Sequence, residues 1–281
     1  MQGQQAPYRK EFTMSSEFNG LDRRGFLGRG ALAGAGALAG ASAFAGVMPS
    51  FAAAARHGGV TKGDLAILGA AQIAEALAVT TYSNIIDAAP FFGRLEEDDQ
   101  GYLEAARQEE MSHYLLEQSV TKKPSPFTRF YYPADMFKDA QTTLNILVTL
   151  EDAFIAAYLV GVRRFSTPDL RVTAARIMGI ESDHRTLARV VGPGVAAQDG
   201  GPIEKITGAQ KKAESVDPPN NNGYERTLGW TRISQAVDAL LPFADKHAAA
   251  KAGFDTSVAY KFEPFTPKLP EPLGEFHGFK G

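Results

Sequence analysis

Residues 143–161 read TLNILVTLEDAFIAAYLVG and form the most apolar long stretch of the mature chain. Such a composition is typical of a helix that faces neighbours on several sides, and we predict a helix from about Asp135 to Arg164. Glu151 lies in the middle of this stretch. A lone carboxylate that faces a core is costly unless it is paired or bound to metal. Glu151 is therefore our first candidate for a ligand of an interior metal site.

The following helix carries a matching pattern. It is predicted to begin at Thr167-Pro168, an N-cap followed by proline at the first helical position, and to end near Gly192. It contains the motif Glu-x-x-His at Glu181 and His184, whose spacing places both side chains on one face. The midpoint between Glu151 and Glu181 falls in the turn FSTP (165–168), so a hairpin brings both glutamates to the same height.

The same arrangement occurs upstream. Helices are predicted from about Lys62 to Ala88 and from about Glu97 to Ser119. The first contains Glu75 within the apolar segment AAQIAEALAVT, and the second contains a further Glu-x-x-His motif, Glu110 and His113. The midpoint between the two glutamates falls in the turn FFG (91–93). Two antiparallel hairpins would thus place four carboxylates and two imidazoles in one interior layer.

Such a layer suits two divalent metal ions, each with one histidine and one terminal glutamate, while two glutamates bridge. Carboxylate oxygens with imidazole nitrogens favour iron or manganese. Two alternatives remain: the motifs could lie on helix surfaces with the two lone glutamates in ion pairs, or the site could hold zinc or a metal without redox activity. The predicted ligands are Glu75, Glu110, His113, Glu151, Glu181 and His184.

One glutamate from each of two helices and Glu-x-x-His from each of two others is the pattern of the di-iron and di-manganese carboxylate proteins. In these motifs the chain resembles the ferritin-like superfamily, and most closely the exported ferritin-like proteins related to the desiccation-related family. The resemblance implies an all-α fold: a ferritin-like four-helix bundle over residues 61–192, with a long crossover between the second and third helices. Residues 193–281 are predicted to add a loop, a C-terminal helix and an extended tail that pack on the bundle.

The resemblance implies redox chemistry on peroxide, oxygen or ferrous iron. With two histidines, the site is more similar to those of rubrerythrins and manganese catalases than to that of iron-storage ferritins. The chain has no cysteine, so the rubredoxin domain of rubrerythrins is absent. That absence favours disproportionation, or oxidation of the metal itself, over reductase-linked activity. The alternative is a non-enzymatic metal-binding or structural protein of stress or desiccation.

The N-terminus predicts export. Consecutive Arg23 and Arg24 precede the weakly apolar run ALAGAGALAGASAFA, Ala31 to Ala45. This pattern resembles a twin-arginine (Tat) signal peptide over residues 1–45, followed by a linker over 46–60. An ordinary Sec signal is the alternative. A Tat signal implies the Tat translocase as a partner during export, and a periplasmic or extracellular location.

Composition limits the remaining function classes. The net charge is −3 with acidic and basic residues interspersed, so no nucleic-acid partner is expected. No segment after the signal has 18 uninterrupted apolar residues, so we expect no membrane span. The partners expected are a small-molecule oxidant or a metal ion. A homo-oligomer is one option for the assembly, and its size is left open.

Several further residues lie near the motifs in sequence. Tyr82 and Tyr158 each follow a candidate ligand by seven residues, and we favour core packing with a bonded hydroxyl over a role in the site. Glu117 follows Glu110 by seven, and we favour a surface position. Asp183 could orient an imidazole or lie in solvent. The remaining histidines have no partner at a useful spacing and are assigned no role: His57, His247 and His277.

Beyond the bundle, the sequence predicts a helix from Glu225 to about Ala250 and a short one at Ile203–Ser215. The tail from Phe262 onward has too many prolines for a helix. We expect it to be an extended strap whose phenylalanines dock on the bundle.

Overall fold

The computed structural model of the protein describes residues 59–191 and 228–268. Predictions for other parts of the chain lie outside the described residues. These are the signal peptide (1–45), most of the linker, the short helix at 203–215, the first three residues of the predicted C-terminal helix and the end of the tail. The predicted start of that helix at Glu225 is wrong, because residues 228–232 are not helical and the helix begins at Ile233.

The first hairpin consists of α1 (Lys62–Ala88) and α2 (Glu97–Thr121), joined by a short 3₁₀ turn at Phe92–Arg94. The side chain of Thr61 accepts a hydrogen bond from the backbone N–H of Asp64, and the Asp64 carboxylate accepts one from the backbone of Thr61. This reciprocal capping box satisfies donors that the first turn leaves unpaired, and it confirms the predicted helix start.

The second hairpin consists of α3 (Ala140–Arg164) and α4 (Pro168–Val190). Thr167 caps α4 with Pro168 in its first turn, as predicted. Helix α3 begins five residues later than predicted, because Asp139 accepts a hydrogen bond from the backbone of Thr142 and acts as its N-cap. The preceding residues are held in turns, where Asp135 adopts a left-handed conformation with φ of 60°.

The two hairpins pack into a four-helix bundle. Helices α1 and α2 pack along each other, as do α3 and α4, and α1 also contacts α3 while α2 contacts α4. One end is fastened by Asp64 at the start of α1, which accepts hydrogen bonds from the backbone N–H (2.8 Å) and hydroxyl (2.6 Å) of Ser166 in the α3–α4 turn. The all-α fold class and the bundle are thus confirmed.

The long crossover between α2 and α3 contains a strand that the sequence analysis did not predict. Strand β1 (Arg129–Tyr132) pairs antiparallel with β2 (Asp255–Lys261), with Phe130 opposite Tyr260. The pairing partners are more than 120 residues apart, so no local pattern reveals the pairing. The sheet attaches the C-terminal segment to the crossover.

The predicted C-terminal helix is divided in two. Helix α5 (Ile233–Ala244) packs against α1 and α3, and α6 (Lys246–Lys251) follows after a break at Asp245. Asp245 has an extended backbone and its carboxylate accepts hydrogen bonds from the N–H groups of the next turn, so it ends one helix and caps the other. Beyond β2, Phe262 is buried and its ring packs edge-on against Tyr114.

Two helices, α1 and α3, are long and apolar enough by length and composition to cross a membrane. Most of the apolar stretch of each is buried within the protein, as in the core helices of a bundle. The expectation that the chain has no membrane span therefore stays a prediction.

Candidate metal centre

Each of the six predicted ligands lies on one of the four bundle helices. The two lone glutamates lie on α1 and α3, and the two Glu-x-x-His motifs lie on α2 and α4. All six side chains are buried, and the most exposed of them, His113, exposes 8% of its surface. The alternative of motifs on helix surfaces is therefore wrong for this structure.

The six residues converge on one interior layer as two overlapping groups of four. In each group the candidate ligand atoms lie within 4.8 Å of one another. Glu110 and Glu181 belong to both groups, and we call them the shared glutamates. The first group is completed by Glu75 and His113, which we call the first half-site. The second is completed by Glu151 and His184, the second half-site.

The histidine rings present Nδ1 to this layer. In the first half-site, Nδ1 of His113 lies 3.2 Å from Oε1 of Glu181 and 3.6 Å from Oε2 of Glu75. In the second, Nδ1 of His184 lies 2.8 Å from Oε1 of Glu110 and 3.4 Å from Oε2 of Glu181. Each imidazole thus contacts the shared glutamate of the other Glu-x-x-His motif.

A second observation supports a fit to metal. Among the described residues, several buried ligand atoms of this layer have no hydrogen-bond partner. Buried polar atoms without partners are rare and costly, and a cation would satisfy them. The atoms are Glu75 Oε2, Glu110 Oε2, His113 Nδ1, Glu151 Oε2 and both carboxylate oxygens of Glu181.

Two tyrosines complete the layer. Tyr82 on α1 donates a hydrogen bond to Oε1 of Glu151 (2.7 Å), and Tyr158 on α3 donates to Oε1 of Glu75. Both rings are buried, as the packing interpretation predicted, but both hydroxyls bind candidate ligands. Each tyrosine therefore orients the lone glutamate of the opposite hairpin.

Glu117 corrects the sequence analysis. It was expected on the surface, but it is 1% exposed, and its Oε1 lies 2.9 Å from the hydroxyl of Tyr158. It lies two turns beyond Glu110 on the same face of α2, so the seven-residue spacing was the signal for burial. Tyr158 thus contacts two carboxyls, those of Glu75 and Glu117.

The sequence analysis missed two groups around His184. The Nε2 of His184 lies 2.9 Å from Oε2 of Glu109, a half-exposed side chain just before Glu110. A hydrogen bond donated by Nε2–H leaves the lone pair of Nδ1 available to bind a metal. Metal-binding histidines commonly donate such a hydrogen bond from their other ring nitrogen. Arg185, the next residue, forms a buried ion pair (2.8 Å) with Asp152, which follows Glu151. This pair joins α3 to α4 beside the site.

The other residues singled out in the sequence lie away from the layer or outside the described chain. Asp183 is exposed, so it does not orient a buried imidazole. His247 is exposed near the start of α6. His57 and His277 lie outside the described residues.

The protonation of the metal-free layer follows from burial and crowding. Burial is the largest effect on Glu75 and Glu151, and with repulsion from the shared glutamates it raises the pKa of both carboxyls well above the ordinary range. Burial also tends to raise the pKa of Glu110, but the adjacent His184, which is hydrogen-bonded to it, and the nearby His113 outweigh burial and lower that pKa.

Burial alone would lower the pKa of His113 and His184. The surrounding carboxylates outweigh it and raise the pKa of both rings well above the ordinary value. Without metal, the layer therefore holds protons on its imidazoles and on its lone glutamates. Metal binding would displace these protons, because a carboxylate or an imidazole nitrogen must be deprotonated to act as a ligand.

The comparisons agree with this geometry. The model of the family described as "Ferritin-like domain" matches residues 63–192, a segment that contains all six candidate ligands. Comparison with the curated proteins and with the solved structures found no match. The bundle, the buried glutamate and histidine clusters and the family match together identify residues 63–192 of this chain as a ferritin-like domain.

Proposed function

We propose that this protein is an exported dinuclear iron or manganese carboxylate protein with redox activity toward peroxide, oxygen or ferrous iron. The observation that carries the proposal is the pair of overlapping four-residue groups that share Glu110 and Glu181. Glu110 and Glu181 would be the residues common to two bound cations, as the shared glutamates are in di-iron and di-manganese carboxylate sites. Export rests on the sequence of the signal region alone.

The charges support two divalent ions. Four carboxylates carry a total charge of about −4, which two divalent cations neutralise when both histidines are uncharged. One ion would leave a buried net negative charge, and trivalent ions would require additional anions. The ligand types exclude a thiolate site, because the chain has no cysteine.

Bound iron or manganese would supply a reversible change of oxidation state. The chain's own residues prepare the layer for such ions. Tyr82 and Tyr158 hold the lone glutamates in place through hydrogen bonds to one oxygen each. Glu109 accepts a hydrogen bond from Nε2–H of His184 and so favours the tautomer that offers Nδ1 to a metal.

The test is metal analysis of the purified protein followed by two activity assays. We expect about two iron or manganese ions per chain, evolution of oxygen from hydrogen peroxide, and oxidation of added ferrous iron. Protein that refuses two equivalents of both Fe(II) and Mn(II) would refute the dinuclear site.

A non-enzymatic role is the second candidate, favoured by the contacts that link all four helices through the site. The hydroxyl of each tyrosine joins α1 to α3, and His184 joins α4 to α2. With metal bound, this layer would cross-brace the bundle and stabilise it. Bound metal that raises the melting temperature, with no turnover of peroxide or ferrous iron, would favour this role.

A further inference from the structure

An open polar cleft lies between the C-terminal half of α1, the middle of α2 and the segment that follows β2. Its volume is about 490 Å³, within the range of clefts that hold small organic ligands. Eight of the eleven residues that line it are polar or charged, and the other three are Val79, Pro264 and Phe265. None of the six candidate metal ligands lines this cleft, so it is separate from the metal layer.

Several polar side chains of the cleft are already held in place by their neighbours. The carboxamide nitrogen of Asn84 donates to a backbone carbonyl one turn earlier in α1 (2.7 Å), and the carboxamide oxygen of Gln108 accepts from the backbone of the segment after β2 (2.8 Å). Nη1 of Arg107 lies 3.2 Å from Oδ1 of Asp87, and its guanidinium lies 5.8 Å from the centre of the Phe265 ring. A ligand would therefore meet ordered groups and would not lose affinity by ordering them.

These contacts leave hydrogen-bonding atoms of both kinds on residues that line the cleft. The carboxamide oxygen of Asn84 remains as an acceptor and the carboxamide nitrogen of Gln108 as a donor. The hydroxyl of Ser83 makes no hydrogen bond within the described residues. Donors and acceptors side by side match the hydroxyl groups of a ligand, because a hydroxyl both donates and accepts.

The charges of the cleft cancel. Arg107 pairs with Asp87, and Nζ of Lys261 lies 3.1 Å from a carboxylate oxygen of Glu263. Among the described residues that line the cleft, no cation is left unpaired for an anion and no carboxylate is left unpaired for a metal ion. An amino-acid zwitterion would have to break an existing ion pair to use either charge. The lining therefore favours a ligand without charged groups.

One wall of the cleft is apolar, because Pro264 and Phe265 contribute to it. Water that fills the cleft would satisfy the polar groups but would keep this apolar surface hydrated, which is unfavourable. A sugar ring carries hydroxyls around its edge and C–H groups on its faces. It can therefore bond to the polar side chains and cover the apolar wall at the same time.

We propose that this cleft binds a neutral saccharide, either a free sugar or a segment of a glycan chain. The sugar hydroxyls bond to Ser83, Asn84 and Gln108, and a C–H face of the ring packs against Phe265. The proposal does not depend on the proposed metal chemistry, so metal-free protein serves for its test.

The first test is isothermal titration calorimetry of the purified protein with glucose, maltotriose, cellotriose and chitotriose. At least one of them should bind with a Kd of about 1 mM or tighter. Glucose that binds as tightly as the trisaccharides indicates a free sugar, and affinity that rises with chain length indicates a glycan segment. The affinity should change less than about twofold between about 0.05 and 0.5 M NaCl, because the ligand carries no charge to be screened.

The second test changes the cleft at Ser83. Ser83→Ala removes one hydrogen bond and should weaken the affinity about two- to tenfold. Ser83→Phe fills part of the open space and should abolish binding. Ser112→Ala is the matched control, because Ser112 is also a half-buried serine within a bundle helix but does not line the cleft. It should bind the saccharide as the wild type does.

The melting temperature of each variant shows whether it folds, and Ser83→Ala carries the test if the larger side chain disturbs α1. The proposal is overturned if none of the four saccharides binds at millimolar concentration. It is equally overturned if glycine or gluconate binds in their place, or if folded Ser83 variants keep the affinity of the Ser112→Ala control.

Discussion

Replacing a shared glutamate should damage both halves of the metal site, whereas replacing a lone glutamate should damage one. Glu110 belongs to both groups of converging ligand atoms, and Glu75 belongs to one. We therefore expect about two ions per chain in the wild type, about one in Glu75→Ala, and almost none in Glu110→Ala. The difference between the two variants distinguishes a dinuclear site from two independent mononuclear sites.

The size of the effect can be estimated for stability as well as for stoichiometry. A ligand present at 100 times its dissociation constant stabilises the folded protein by about 2.7 kcal/mol per site. For a protein of this size, each kcal/mol raises the melting temperature by about 2–4 °C, so each ion should add roughly 5–10 °C. The wild type should gain roughly twice what Glu75→Ala gains, and Glu110→Ala should gain little.

The assay compares each variant with its own metal-free form by differential scanning calorimetry, with metal content measured on the same samples. Glu104→Ala is the matched control, because Glu104 is an exposed glutamate on α2, the same helix as Glu110. It should behave as the wild type. If Glu110→Ala retains one tightly bound ion, as Glu75→Ala does, the shared-ligand reasoning is wrong.

Three further predictions concern pH, the partner of His184 and export. The raised pKa of Glu75 and of the site histidines means that the folded metal-free protein holds protons that the unfolded chain loses. Its melting temperature should therefore fall as the pH rises above about 4.3, where an unfolded glutamate loses its proton, and further above about 6.5, where an unfolded histidine does. Scanning calorimetry of the chelator-treated protein at several pH values between about 5 and 8 measures this change. A melting temperature that rises over this pH range would contradict the raised pKa values. Glu109→Ala should weaken metal affinity about 10–100-fold, because the imidazole of His184 loses the hydrogen bond that orients it. The protein should still fold, because the side chain of Glu109 is half-exposed. Competition with a chelator measures this change, and affinity equal to that of Glu104→Ala would count against it. Replacing Arg23 and Arg24 by lysine should leave the precursor in the cytoplasm, seen by fractionation, and normal export of that variant would remove the Tat proposal.

Much of the fold could be predicted because its signals are local. The capping residues Thr61 and Thr167 mark the starts of α1 and α4, and both caps occur in the structure. The agreement in height between paired ligands also follows from local information, since a tight turn at the midpoint of a hairpin sets the register of its two helices. This is why the sequence predicts that six candidate ligands lie at one level of the bundle.

The missed features all depend on contacts between distant segments. The pairing of β1 with β2 joins residues far apart in the chain. The burial of Glu117 depends on Tyr158, a residue of the other hairpin that offers its hydroxyl. A charged residue on a helix is most often in solvent, so the general expectation outweighed the helical spacing that pointed inward.

The two hairpins carry site residues at equivalent positions in their first helices. Glu75 and Tyr82 on α1 correspond to Glu151 and Tyr158 on α3, with the same seven-residue spacing. Each tyrosine donates to the glutamate of the other pair, so α1 and α3 exchange equivalent hydrogen bonds. Such an exchange is what two antiparallel helices with the same spacing must form, and it makes the inner layer nearly symmetric.

The residues that surround the candidate ligands are not symmetric between the two hairpins. Glu117 follows Glu110 by seven residues, but the position seven after Glu181 is Ala188. Likewise Glu109 precedes Glu110, whereas Ile180 precedes Glu181. The additional carboxylates on α2 therefore have no counterparts on α4.

Both additional carboxylates lie on α2, but they serve different halves of the layer. Glu117 contacts Tyr158, which binds Glu75 of the first half-site, and it also lines a small, mainly apolar cavity. Glu109 binds the imidazole of the second half-site and is itself partly open to solvent. Two ions in this layer would thus have the same ligand types but different surroundings, one next to a mainly apolar cavity and one next to a partly exposed carboxylate. Because burial and outer hydrogen bonds tune a metal's affinity and chemistry, we expect the two positions to bind metal with different affinities.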